Sequence, residues 1–151
     1  MSLKVSYYEN LILSTNRGYN KGIASNAKPL YLLAIFKGIE EGILLGNKII
    51  FDEIISTLYI EACQLFEPWR IPAKFYKPYF HLNSEPYYYI KWKNGVKIVN
   101  ALQTPSAKFL RENVEYACLD DELWELLQDQ DTRNELREAI IQHFIKPIKR
   151  Q

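Results

Sequence analysis

Lys77-Pro78-Tyr79-Phe80-His81-Leu82-Asn83-Ser84-Glu85-Pro86-Tyr87-Tyr88-Tyr89-Ile90-Lys91-Trp92-Lys93-Asn94-Gly95 decides how the chain is read. Bulky residues alternate on both sides of an Asn-Ser-Glu-Pro turn, and a period of two predicts an antiparallel β-hairpin. Pro78, Phe80 and Leu82 then share one face with Tyr88, Ile90 and Trp92, and that face is the buried one. Tyr79, His81, Asn83, Tyr87, Tyr89, Lys91 and Lys93 fall on the other, open face. An open face that is aromatic, polar and cationic suits a polyanion.

Outward from this hairpin the pattern is helical. Pro29 opens a helix over 29–41 with Leu32, Leu33, Ile35, Phe36 and Ile39 inside, and Gly42 ends it. Residues 48–51 form a short β-branched strand, and Asp52 caps a helix over 53–66. A first short helix is expected over 3–13, and a polar, Gly/Asn-rich loop over 14–28. Past the hairpin, 96–99 extend it as a third strand. Thr104, with Pro105 at the first helical position, starts a helix to about residue 116. Asp120 starts one to residue 128, and the Thr132-Arg133-Asn134-Glu135 capping box starts the last, which Pro147 closes. The predicted class is α+β and mostly helical: a winged-helix-like body, a small antiparallel hairpin and a C-terminal helical tail. At 151 residues and 48% hydrophobic content, 1–151 is expected to be one domain with its own core.

Formal net charge is only +1, yet it is unevenly spread. Residues 68–111 carry eight cations against Glu85 alone, whereas 112–151 carry ten carboxylates against five cations. A basic middle beside exposed aromatics is the electrostatic footprint of nucleic-acid binding. The outward residues of the 53–66 helix (Glu53, Ser56, Thr57, Ile60, Glu61, Gln64) include no cation, so a groove-reading role for that helix is not expected. Contacts are expected instead from the hairpin and from helix starts.

Catalytic chemistry finds little support. The two histidines, His81 and His143, have no Cys partner at zinc spacing, and no Gly-rich phosphate loop is present. Asp120, Asp121 and Glu122 suit a helix start without any further role. Cys63 and Cys118 fall within apolar patterns taken as helical and are expected to be core thiols. No apolar run of membrane-spanning length occurs, and the N-terminus lacks a signal-peptide pattern, so a cytoplasmic protein without metal or cofactor is expected.

Two helix starts combine backbone N–H donors with useful neighbours. One is Ser25-Asn26-Ala27-Lys28-Pro29, with Tyr31 one turn in. The other is Thr104-Pro105-Ser106-Ala107-Lys108, with Arg111 one turn later, where small apolar groups stand beside a hydroxyl and two cations.

Lys28-Pro29-Leu30-Tyr31-Leu32-Leu33-Ala34 resembles the Lys-Pro-Leu-Leu-Leu-Leu-Ala opening of the sulfur-binding domain of phosphorothioate-dependent, McrA-like HNH restriction endonucleases. The family's Pro-Phe-x-x-Leu, polar turn and Phe-Trp-x-Leu resemble Pro78-Tyr79-Phe80-His81-Leu82 and Tyr87-Tyr88-Tyr89-Ile90. Its tail pattern is similar to the stretch from Ala117 to Phe144, and the likeness spans about 11–145. Tyr88 stands where the family has Trp, and His81 where it often has Arg, which makes that contact weaker or pH-sensitive.

The resemblance implies a reader of double-stranded DNA in which sulfur replaces one non-bridging phosphate oxygen. It implies a recognition module of a modification-dependent restriction system, with the HNH nuclease domain absent from this chain and supplied as a fused or partner nuclease.

Sulfur is larger, softer and less strongly hydrated than oxygen, so an apolar notch ringed by cations should prefer it. Pro105 and Ala107 are the expected notch wall, with Tyr31 as a third side. Thr104, Ser106, Lys108, Arg111, His81 and Lys28 are the expected phosphate holders. Ser84, Asn83, Arg17 and Lys91 are the expected flanking contacts. A winged-helix reader of ordinary DNA and a protein-interaction module are the alternative readings.

Overall fold

The computed structural model describes residues 2–20, 22–96 and 104–145. In chain order the elements are α1 (Leu3–Leu13), β1 (Tyr19–Asn20), β2 (Ile23–Ala24), α2 (Ala27–Glu40), α3 (Glu53–Phe66), α4 (Tyr76–His81), β3 (Tyr88–Trp92), α5 (Ala107–Asn113), β4 (Val114–Leu119), α6 (Asp121–Leu127) and α7 (Gln130–Ile140). A 3-10 turn (Leu82–Ser84) continues α4, and a π-helical turn (Ile141–Ile145) continues α7. The fold is mostly helical with small antiparallel sheets, as the sequence predicts.

The 14-residue helix α2 is the axis of the core. Pro29 through Phe36, Gly38 and Ile39 are all buried, so its apolar surface runs almost all round. It packs on α3, α4 and α7. Gly38 permits the close approach of the α2–α3 connection, since a Cβ there would meet Leu44 at 3.0 Å and Leu58 at 3.3 Å. Gly42, at φ +72, ends the helix where only glycine is unstrained. Asp52 caps α3, its Oδ1 accepting from the N–H groups of Ile54 and Ile55.

The quoted stretch folds differently from the prediction. Its first half is helix α4, and β3 pairs not with residues 78–83 but with β4. Phe75, Pro78, Tyr79 and Leu82 are buried, a helical spacing superimposed on the apparent alternation. Pro78 is the third residue of α4, inside the first turn where its missing N–H costs nothing. Tyr79 therefore points inward rather than to solvent, and its hydroxyl donates to the Ile49 carbonyl at 2.7 Å. Tyr87, expected in the open, is fully buried and shares a 2.6 Å hydrogen bond with Thr15.

The segment after Thr104 also departs from expectation. Ser106, not Thr104, caps the helix, accepting from Phe109 N–H. That helix stops at Asn113, and residues 114–119 are a strand whose Ala117 also bridges Ile49. Cys118 thus lies in a strand; it and Cys63 are free thiols. The predicted strand over 48–51 contracts to the Ile49 bridge, with the Asn47 side chain pairing both backbone groups of Leu119. The loop over 14–28 contains the β1–β2 hairpin. Asn26 rather than Lys28 flanks the start of α2, so Pro29 is its third residue. Asp129, not Thr132, caps α7, accepting from Thr132 N–H at 2.9 Å. Most of the predicted strand over 96–99 and the stop at Pro147 lie outside the described residues.

Candidate nucleic-acid interface

An open cavity of about 410 Å³ lies where the β1–β2 hairpin, the start of α2 and α4 meet. Its cationic lining is Arg17, Lys28 and Lys77, with His81 beside them; Ala27, Ala73 and Pro78 supply apolar carbon to the same hole. Asn16, Gly18 and Ser25 complete the lining. The N-terminus of α2 meets the cavity at Ala27 and Lys28, so the positive end of the helix adds to the field.

Each cation is held differently. Arg17 donates to Asn26 Oδ1 at 2.8 Å and lies over the Phe144 ring at 4.9 Å. Asn26 is itself buried, donating to Glu67 Oε2 at 2.6 Å and to the Phe144 carbonyl at 3.2 Å. The guanidinium is therefore preset by a buried relay. Lys28 bonds Glu85 at 3.0 Å and Ser84 Oγ at 3.3 Å. Glu85 also accepts from Asn16 N–H at 3.1 Å, which ties the loop before β1 to the same carboxylate. Lys77 is exposed, and among the described residues neither it nor Arg17 is in an ion pair. His81 Nε2 shares a 2.7 Å hydrogen bond with Thr104 Oγ1. Burial, then the charges of Lys28 and Lys77, hold its pKa below the ordinary 6.5. The ring is neutral at pH 7, and an anion seated beside it would favour its protonation.

The predicted site residues divide between two places. Lys28, His81 and Arg17 line this cavity, and Ser84 and Thr104 are joined to it only through their bonds to Lys28 and His81. Ala107 and Arg111 line a second one, of about 390 Å³, shared with Phe51, Asp52, Glu53 and Lys74. Two carboxylates in that second lining make it the poorer anion host. Pro105 is half-buried on the segment between the two, and Ser106 and Lys108 are exposed.

Tyr31 is corrected outright as a notch wall. It is fully buried, its hydroxyl 3.0 Å from that of Tyr88 and its ring packed among Phe75, Tyr79 and Tyr88. It is the fifth residue of α2 and points into the core, so its side chain cannot reach a ligand. Asn83 is spent on structure, accepting from Ile90 N–H at 3.0 Å. Lys91 lies on the sheet, 5.9 Å from the Tyr116 ring, where Lys48 also packs.

Sequence reading missed Lys77, Ala27, Ala73 and Pro78 as lining. The alternation puts Pro78 on a strand and Lys77 at the end of the connection before it; a helical reading of 76–82 places both, with His81, on successive turns of one helix. Among the described residues, no group of three His, Cys, Asp or Glu side chains could hold a metal ion, and no helix is long and apolar enough to cross a membrane. The chain matches no protein-family model and no curated protein.

Proposed function

We propose that this chain binds double-stranded DNA through its backbone and prefers a phosphorothioate linkage, acting in the cytoplasm as the recognition module of a nuclease supplied in fusion or as a partner. One observation carries this reading: Ala27, Ala73 and Pro78 share a cavity with Arg17, Lys28, Lys77 and His81. A phosphate needs the cations, and ordinary oxygen gains nothing from the apolar carbons. Sulfur, weakly hydrated and polarizable, gains from both. We place the notch on Ala27, Ala73 and Pro78 instead of Pro105 and Ala107, with Thr104 joined to it through His81.

The element order supports a winged-helix-like body. Helix α2, the Ile49 bridge, α3 and the β3–β4 pair come in that order, with α4 inserted between α3 and β3, α5 between the two strands, and Ile49 joined to β4. The exposed face of α3 carries Glu53, Thr57, Glu61 and Gln64, which suits loop-borne rather than α3-borne contacts.

The test is a titration of one duplex carrying a single stereodefined phosphorothioate against its all-oxygen twin. One buried atom of altered solvation should be worth about 1–3 kcal/mol, or roughly five- to 150-fold in affinity. Equal affinity for the twins would reduce the chain to a reader of ordinary DNA, which the element order alone would accommodate. No binding to either at low salt would leave a protein-interaction module.

A further inference from the structure

Beside the cavity stands a short loop of which the anion site uses only the last residue, Ala73. Residues 67–73 run Glu67-Pro68-Trp69-Arg70-Ile71-Pro72-Ala73. Trp69 is 71% exposed and Ile71 92% exposed. The loop is nevertheless pinned. Prolines at 68 and 72 restrict its backbone. Arg70 N–H closes a turn on the Glu67 carbonyl at 3.0 Å. The buried Glu67 carboxylate pairs with the Arg70 guanidinium at 3.5 Å, and that guanidinium donates to the Ala24 carbonyl at 3.1 Å. At the far end the Tyr59 hydroxyl donates to the Ala73 carbonyl at 2.8 Å. Trp69 and Ile71 thus hold two large apolar side chains in water on a fixed loop.

Charge and continuity say what would cover them. Residues 68–84 carry Arg70, Lys74 and Lys77 and no carboxylate. Ala73, two residues beyond Ile71, already lines the cationic cavity. Arg70 joins the loop to β2, whose Ala24 pairs with Tyr19, itself exposed. An apolar patch beside the exposed Lys74 and Lys77, continuous with the cationic cavity of about 410 Å³, fits a polyanion that also has apolar faces. Nucleic acid is such a polymer, its sugars and bases standing beside its phosphates.

We propose that Trp69 and Ile71 form a second DNA contact, pressing on the sugar and base of the nucleotide next to the linkage held in the cavity. This rests on the function proposed above. Phosphate at the cavity sets position, and the loop adds affinity that is independent of charge.

The experiment uses the full chain with the phosphorothioate duplex over a range of salt. The double variant Trp69→Ala/Ile71→Ala should bind about tenfold or more weakly, the scale of taking large apolar side chains out of water. Its slope of log affinity against log salt should match wild type, because no charge is lost. Both side chains are exposed, so its thermal unfolding should match wild type too, and Ile71→Ser alone gives a milder check. Trp69 fluorescence, isolated by difference from Trp69→Phe, should become shielded from acrylamide in the complex. If wild type binds the duplex while the double variant binds equally well, or Trp69 stays open to acrylamide, the loop contact is refuted and the cavity stands. If wild type binds neither duplex, both fall. If the double substitution abolishes binding to phosphatidylserine vesicles and leaves duplex binding intact, the patch is a membrane contact and the proposal is overturned.

Discussion

Replacing Glu85 by glutamine should tighten DNA binding while weakening the fold. Glu85 is almost wholly buried and sits 3.0 Å from the Lys28 ammonium, whose side chain is 14% exposed. A phosphate oxygen on the open side of that ammonium would place two anions about 6 Å apart, taking roughly 2.8 Å for the charged hydrogen bond. Their repulsion is about 0.7 kcal/mol at the dielectric of water and about 2.8 kcal/mol at an effective value near 20. Physiological salt, with a screening length of about 8 Å, roughly halves this. Removing the carboxylate should therefore raise affinity about two- to tenfold.

The fold loses in exchange. Glutamine can still accept from Asn16 N–H, but it leaves Lys28 without its counter-charge, at a cost of about 1–3 kcal/mol. Fluorescence anisotropy with labelled phosphorothioate duplex reads the first effect, and thermal unfolding reads the second. A variant that remains folded at the assay temperature yet binds no better, or binds worse, would mean that no anion sits beside Lys28. The cavity would then lose its assignment.

Three further outcomes follow from the same contacts. DNA affinity should rise as pH falls from 8 to 6, because protonation of His81 adds a cation beside the phosphate, and a gel-shift series with His81→Gln should be flatter. Stability should move the opposite way: the folded pKa lies below 6.5, the unfolded chain takes the proton first, and the contribution of His81 is full above about pH 6.5 and declines below it. Lys77→Ala should leave thermal stability within about 0.5 kcal/mol and reduce the salt slope of duplex binding by about one; an unchanged slope would take Lys77 off the phosphate path. Tyr88→Phe should destabilise the fold more than Tyr31→Phe does, by about 1 kcal/mol in urea unfolding. It removes the Tyr88 hydroxyl from both the Tyr79 carbonyl and the Tyr31 hydroxyl, whereas Tyr31→Phe leaves the Tyr88 bond to Tyr79 in place.

What could be read in advance was local. The caps and stops of α3 and α2 were legible because Asp52 and Gly42 act on backbone groups within a turn of themselves. So was the burial of Leu32, Leu33, Ile35 and Phe36, which a single helical period accounts for. The stretch 77–95 was not legible in the same way. Aromatics at 79, 80, 87, 88 and 89 satisfy a period of two and one of 3.6 over so few residues, and only packing chooses between them. Here Tyr79 is claimed by Ile49 and Tyr88 by Tyr79, contacts spanning 30 and 9 residues.

The candidate site divides along the same line. Sequence alone determined that cations concentrate in the middle of the chain and that a helix begins near Lys28; composition and local periodicity carry such facts. Tertiary structure alone decided that Arg17, Lys28, Lys77 and His81 surround one cavity, that Glu85 already engages one of them, and that Tyr31 is sealed in the core. The reason is physical. Which side chains share a cavity depends on how α2 and α4 bury their apolar faces together, and that burial joins residues whose spacing along the chain encodes nothing of their distance in space.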